Sequence, residues 1–449
     1  MKRDAPPKAQ KAPTTPVSPK PSILLTWLPL AAMWVLMAVE QPAIAAVMAR
    51  MSEATLQLAA FGITYSLALF IEGPVIQMLA AGTAVADNRE NYRRLMGMMR
   101  VLGWGATVVH GVLCIPGVFR PFLLGVIGAP PRLVEPARLA LTAMLPWTLA
   151  VGFRRLWQGV LIRYGRTGVV PITMAIRMAV SFAVLAIGFA TEALPGAVLG
   201  GAALSAGVVV GAAATWIFVR PVVRGLRQTD DDGADPGGSV MTWPAMIRFY
   251  IPLALTNFII LGARPVVQMG LARGLLPLES LALWPVSMGY IFLYTAFSLS
   301  SQEVVIARLE DAGSRTKLLR FSVGLGAVLA VLHLVVLATP LWRLWFSGVS
   351  GLSDDLTALA PPVLALVFPV MPLSALISLY RGALVRSRRT GDVSIGVAVN
   401  AAVLLTSLFV GVAVFSVPAI VVSSAAYALA FGAETVYLAS RRPLAAFRG

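Results

Sequence analysis

A chain of 449 residues that is 58% hydrophobic and only 12% charged, with a mean hydropathy of +0.81, is excluded as an ordinary soluble domain, which keeps roughly a quarter of its residues charged. The net charge of +16 suits nucleic acid in size, but the cations cluster at alternate ends of long apolar runs, the pattern of a membrane protein with cationic cytoplasmic loops; no nucleic-acid partner is expected. The one cysteine, Cys114, lies inside an apolar run, which leaves no disulfide framework and no thiolate cluster; neither a metal nor a cofactor is expected.

Residues 1–22 hold five Lys/Arg and five Pro before Pro21, and read as a disordered cytoplasmic tail. The apolar run that follows is too long for the core of a signal peptide. Runs long enough to cross about 30 Å of hydrocarbon as helix predict spans at 24–49, 56–85, 95–119, 137–162, 168–191 and 196–219, an N-terminal lobe over residues 23–223. A polar, Gly-rich cytoplasmic linker is expected at 224–242, where Asp230, Asp231, Asp232 and Asp235 fall. Spans at 244–272, 278–307, 318–342, 357–385, 392–414 and 418–440 make a C-terminal lobe over 243–440, ahead of a cytoplasmic tail at 441–449. The expected fold class is therefore an all-α membrane protein of twelve transmembrane helices. The even-numbered loops and both tails carry 23 Lys/Arg and the odd-numbered loops six, Arg50 and Arg273 among them, so both termini should face the cytoplasm of a cell's inner or plasma membrane.

The halves repeat at a constant offset of 223 residues. Trp27 to Ala31 meets Tyr250 to Ala254, Pro42 meets Pro265, Ala49-Arg50 meets Ala272-Arg273, His110 meets His333, Pro146 meets Pro369, and Arg163 to Gly168 meets Arg386 to Gly391. Six spans return the chain to its starting side, so the repeats are parallel and related by an axis along the membrane normal. Two such bundles enclose a cleft near the midplane, and rocking one against the other opens it to each side in turn.

Several segments resemble a known family: Glu40-Gln41, then Ala60 through Leu67 with its Phe61, Thr64 and Tyr65, then Gly73-Pro74, Pro252-Leu253-Ala254 and Arg264-Pro265. They are similar to the progressive ankylosis protein family, a branch of the multidrug/oligosaccharidyl-lipid/polysaccharide superfamily that includes the multidrug-and-toxin-extrusion (MATE) transporters. The similarity is patchy and covers most of both halves. It implies a MATE-like fold of two six-helix lobes and an exporter of small anions such as citrate, pyrophosphate or nucleotide. Glu72, ahead of Gly73-Pro74, departs from the vertebrate members.

Nine ionisable groups within the predicted spans are candidates: Glu40, Glu72, Arg154, Arg155, Arg177, Arg264, Glu303, Arg381 and Glu434. Insertion scales place Arg, Lys or Asp at about 2.5 to 3.5 kcal/mol at mid-helix, so each needs a partner or a wet cavity. Glu40 and Arg264 flank the paired prolines Pro42 and Pro265, expected helix kinks that free backbone groups. Two readings stay open: both face the cleft, Arg264 on an anionic substrate and Glu40 competing for it or taking a proton, or the two form a permanent ion pair. Gln41, Arg154, Arg155, Arg177 and Asn400 complete the candidate substrate-binding set. Arg154 and Arg155 point about 100° apart, which leaves two readings open: one binds anion while the other snorkels to the cytoplasmic interface, or the pair only snorkels. Arg177 has Asn400 as its repeat mate and lies deep, whereas Arg381, mate of Gln158, reads as a snorkeller.

Glu72 precedes Pro74, a third expected kink, and joins Glu40 and Glu434 as candidates for coupling to a proton or sodium ion. Glu303 reads as interfacial, His110 and His333 as structural with proton relay behind, and Trp27, Trp147, Trp342 and Trp345 as an interfacial belt.

No phosphate-cradling loop, metalloprotease motif or nucleophile elbow is present, so no catalytic residue is expected. The leading reading is a secondary active or facilitated transporter that exports a small organic or phosphate-bearing anion. Within transport, the alternatives are a proton- or sodium-coupled exporter of cationic drugs and a lipid-linked flippase. From another class, the alternative is a membrane enzyme or scaffold.

Overall fold

A computed structural model describes residues 22–231, 240–309, 312–387 and 389–445. Those residues are helical apart from turns and a single isolated bridge between Leu275 and Pro418. The N-terminal half contains α1 (Ile23–Met48), α2 (Ala54–Ile76), α3 (Met78–Val85), α4 (Arg89–Leu113), α5 (Pro116–Pro121), α6 (Val134–Ala143), α7 (Leu145–Arg163), α8 (Val169–Thr191) and α9 (Gly196–Asp231). The C-terminal half contains α10 (Trp243–Arg273), α11 (Pro277–Arg308), α12 (Ala312–Ala338), α13 (Leu341–Arg343), α14 (Asp354–Ala358), α15 (Ala360–Val367), α16 (Val370–Arg386), α17 (Thr390–Val414) and α18 (Ala419–Ser440).

Eight helical segments are by themselves long and apolar enough to cross a membrane, and two bent pairs bring the number to ten. The segments α6–α7 and α10 lie at the two remaining positions expected from the repeat but are not among these ten; α7 carries Arg154, Arg155 and Gln158. The expected linker begins later than its composition suggests, since α9 runs on through Asp231; residues 232–239 lie outside the described residues, as do residues 1–21 of the expected tail.

The helix starts follow local chemistry. Ser22, Asn88 and Thr242 each turn a side-chain oxygen onto a free amide of the first turn of α1, α4 and α10. The prolines Pro42 and Pro265 lie inside unbroken helices, whereas α2 gives way to α3 at Gln77, three residues after Pro74.

The sequence repeat is also a repeat of bonds. His110 Nε2 meets the Leu141 carbonyl at 2.9 Å, and His333 Nε2 meets that of Leu364, the mate of Leu141, at 3.0 Å. The Ala197 amide donates to Gln57 Oε1 at 3.0 Å, and the mate of that amide, Ile420 N–H, donates to Ser280 Oγ at 3.1 Å. Glu53 and Leu276, which precede α2 and α11, share a left-handed backbone at φ 53° and 50°. Close helix crossings match too: a Cβ added at Gly159 comes within 2.4 Å of the Leu79 carbonyl oxygen, and one at Gly382 within 3.1 Å of the Gln302 carbonyl oxygen.

Exposed apolar side chains also recur at repeat positions, with Val108 and Val331 at 60% and 59% exposure. Such a stripe faces hydrocarbon, the solvent in which exposed valines cost nothing. The opening helices form the seam between the lobes: α1 packs chiefly on α11, and α10 packs on α2 as well as on α17, α18 and α11 of its own lobe. At these contacts Gly289 faces the Pro42 ring, and Phe70 meets Phe258 with ring centroids 4.3 Å apart.

Candidate functional site

Five ionisable side chains converge in the N-terminal lobe: Glu40 from α1, Glu72 from α2, Arg154 and Arg155 from α7, and Arg177 from α8. Glu40 and Arg177 are both buried and form a direct ion pair. That corrects one of the two readings of Glu40, because its partner is Arg177 and not Arg264. The pair ties α1, which packs chiefly on α11 of the other lobe, to α8 of its own.

Glu72 is 4% exposed, its Oε2 is enclosed without a hydrogen-bond partner, and it lies within electrostatic range of Arg155, Arg154, Arg177 and Arg264. Arg154 and Arg155 form no ion pair among the described residues, and the Nε of each is enclosed and unpartnered. The expected division of labour, one arginine binding and the other snorkelling, therefore does not hold. Both turn inward, because a guanidinium on a long stem reaches across the 100° step between adjacent positions.

Arg264 has no ion-pair or hydrogen-bond partner among the described residues, and its side chain is exposed. It lies within electrostatic range of Tyr65 on α2 of one lobe and of Tyr427 on α18 of the other. Tyr65 is held there by stacking between Phe61 and Trp147, with centroids 5.8 Å away on each side. Gln41, next to Glu40, is half-buried and makes no hydrogen bond among the described residues.

The C-terminal lobe handles its charges differently. Arg381 holds Glu434 through Nε at 2.7 Å, and Asn400 donates to the other carboxylate oxygen at 3.1 Å. Asn400 occupies the place of Arg177, and Arg381 that of the buried Gln158. The place of Glu434 belongs in the N-terminal lobe to Gly211, where an added Cβ meets Arg177 Cβ at 3.1 Å and Arg154 Cδ at 3.7 Å. The missing side chain makes room for two arginine stems and removes the carboxylate that would neutralise them. With Glu40 matched to Arg177 and Glu434 to Arg381, the enclosed Arg154 and Arg155 and the exposed Arg264 lie within electrostatic range of one remaining carboxylate, Glu72, a surplus of two positive charges of which one is enclosed.

The break after Pro74 has a structural use that sequence reasoning missed. Asn257 Nδ2 donates to the Gly73 carbonyl at 3.1 Å and the Tyr250 hydroxyl to the Pro74 carbonyl, so two α10 side chains fasten the end of α2 directly beside Glu72. Polar residues in α10 facing a Gly-Pro step were the available signal.

The remaining candidates lie elsewhere. Glu303 accepts from Trp34 Nε1 at 3.3 Å at an exposed position. His110 and His333 are enclosed with both ring nitrogens engaged, His110 also with Thr148 and His333 with Tyr290. Trp147 is only 6% exposed and belongs to the stack on Tyr65, not to an interfacial belt. A cavity of about 270 Å³ lined by Tyr290, Tyr294, Val336, Leu344 and Trp345 is apolar and holds none of the charged candidates. Among the described residues no group of three or more His, Cys, Asp or Glu is placed to hold a metal ion.

This arrangement, two helical lobes related by the sequence repeat and meeting along α1, α2, α10 and α11, is a MATE-like fold. The chain is similar to the inward-facing conformation of a multidrug resistance MATE family transporter at a TM-score of 0.67 and 13% identity, covering 94% of this chain and 98% of that one. It is similar to the lipid II flippase MurJ in an inward closed conformation at a TM-score of 0.68 and 12% identity, covering 94% and 87%. A MOP superfamily transporter from Pyrococcus furiosus, described as having a binding pocket of reverse polarity that suggests a different function, matches at a TM-score of 0.54 and 15% identity, covering 95% and 96%. At these identities the likeness is one of fold. No protein-family model and no curated protein matches the sequence.

Proposed function

We propose that the chain is a secondary active or facilitated transporter that exports a small organic or phosphate-bearing anion by alternating access between lobes 23–223 and 243–440, with both termini in the cytoplasm. The observation that carries this reading is the uncompensated guanidinium surplus around Glu72. A buried cation with no carboxylate costs several kcal/mol, and a bound anion is the partner that removes that cost. Guanidinium forks suit carboxylate and phosphate alike, so the reading spans citrate, pyrophosphate and nucleotides, the class that resemblance to the progressive ankylosis family implies. A cationic-drug exporter fits less well, since Glu40 and Glu434 are already occupied by Arg177 and Arg381.

Glu72 is the proposed coupling carboxylate: it competes with the substrate for Arg154 and Arg155, and takes up a proton when the anion displaces it. Uptake of labelled citrate, pyrophosphate and a cationic dye into inverted vesicles tests the assignment. Saturable accumulation of one of the anions without the dye is expected; dye accumulation alone refutes it. In the same vesicles Glu72→Gln is expected to remove the dependence of anion flux on a pH gradient. A flux in that variant still following the gradient as in the parent rules Glu72 out of coupling.

A further inference from the structure

The two arginines that the repeat aligns at the ends of the opening helices are not part of the anion site, and each reaches into the opposite lobe. Arg50, just beyond α1, donates from Nη2 to the Gly348 carbonyl at 2.6 Å and from Nη1 to the Ala46 carbonyl of its own helix at 2.7 Å. Its repeat mate Arg273, at the end of α10, donates from Nη2 to the Val126 carbonyl at 2.7 Å. The acceptors lie in two wide helical turns, Phe122–Ile127 and Leu344–Val349, which occupy corresponding places in the two lobes. A turn of that width leaves carbonyls without their usual intrahelical donor.

Each guanidinium lies over a repeat-matched glycine with a left-handed backbone. A Cβ at Gly351, φ +69°, comes 2.8 Å from Arg50 Nη1, and one at Gly128, φ +80°, comes 2.9 Å from Arg273 Nε. A side chain at either glycine would displace the arginine. Both contacts lie on the face opposite the termini, because each follows one passage of an opening helix across the bundle.

We infer that Arg50 and Arg273 form a reciprocal latch that holds the lobes together on the face away from the termini, and that this latch must break on both arms before the central gap opens to that side. Its purpose rests on the alternating-access reading, but its action is measurable without any substrate. Two crossing contacts related by the lobe axis resist separation of the lobes on that face while leaving them free to part on the other. Ser66, beneath the latch, accepts from Gln268 Nε2 at 3.2 Å, so the layer below Arg273 is closed in the same state.

The test uses full-length protein in liposomes with Cys114 replaced by Ala, spin-labelled at one of two cysteine pairs. Val118→Cys with Leu341→Cys, exposed repeat mates, reports the far face; Arg93→Cys with Lys317→Cys reports the near face. In Arg50→Ala/Arg273→Ala, loss of two charge-assisted bonds is expected to raise the far-face-open population by about tenfold or more. The far-face distance should lengthen while the near-face distance shortens, and Arg50→Lys/Arg273→Lys should fall between that variant and the parent. Unchanged distances in the alanine variant overturn the latch, as does broadening of both pairs together, which reports loosened packing instead of a shifted equilibrium. Neither result bears on whether anions are carried, which the vesicle experiment decides separately.

Discussion

Replacing Arg154 and Arg155 together by alanine is expected to lower the initial rate of anion transport by about a hundredfold or more, because each charge-assisted contact to a substrate oxygen contributes about 1.5 to 3 kcal/mol. The same variant should be at least as stable as the parent. Both side chains lie inside the N-terminal lobe, and neither is paired with a carboxylate among the described residues, so removing them relieves a desolvation cost and breaks no ion pair. Loss of transport with retained or improved thermal stability separates a binding role from a structural one. Parent-like rates in well-folded Arg154→Ala/Arg155→Ala would remove the guanidinium surplus from the mechanism.

The opposite pattern is expected at the neighbouring pair. Arg177→Ala should destabilise the protein by about 3 to 5 kcal/mol, since it strands the charge of Glu40 in a site where that residue is 6% exposed. Replacing both partners, as Glu40→Met with Arg177→Met, should recover most of that loss, because an apolar pair of similar volume leaves no orphan charge behind. Thermal unfolding of Glu40→Met, Arg177→Met and the double variant checks the cycle; a double variant destabilised by the sum of the two single effects would mean that the two side chains are not coupled. Arg381→Ala should cost less than Arg177→Ala, as Glu434 keeps its hydrogen bond from Asn400 and the Arg381 side chain is 24% exposed.

The places of the helices along the chain were legible in the sequence and direction around each helix was not. Hydropathy and the 223-residue offset located the helical segments, and the repeat gave pairs such as His110 and His333 that make equivalent bonds. The partner of Glu40 was not legible, because Arg177 and Arg264 both lie near mid-span and only the rotation of α8 and α10 about their axes decides between them. A one-dimensional pattern records no such rotation when the apolar surround is continuous. The inward turn of both Arg154 and Arg155 was hidden by treating a helical position as a direction, which a side chain as long as arginine need not follow.

Gly211 is the instructive omission. A glycine in an apolar helix carries no functional signal alone, and its meaning emerges only when it is set against Glu434: the C-terminal lobe keeps a neutralising carboxylate that the N-terminal lobe lacks. The reach of Arg50 and Arg273 into the opposite lobe was foreshadowed by their repeat alignment, but their acceptors are backbone carbonyls, which no side-chain pattern announces.

On the proposed reading, the gap between the lobes is built for a negative ligand. Equilibrium binding of labelled pyrophosphate, citrate and a lipophilic cation to the purified full-length protein tests it most directly, with Arg154→Ala/Arg155→Ala/Arg264→Ala in parallel. Saturable binding of one of the anions that disappears in the triple variant is predicted. Binding of the cation instead, undiminished or strengthened when the three arginines are gone, would contradict the claim.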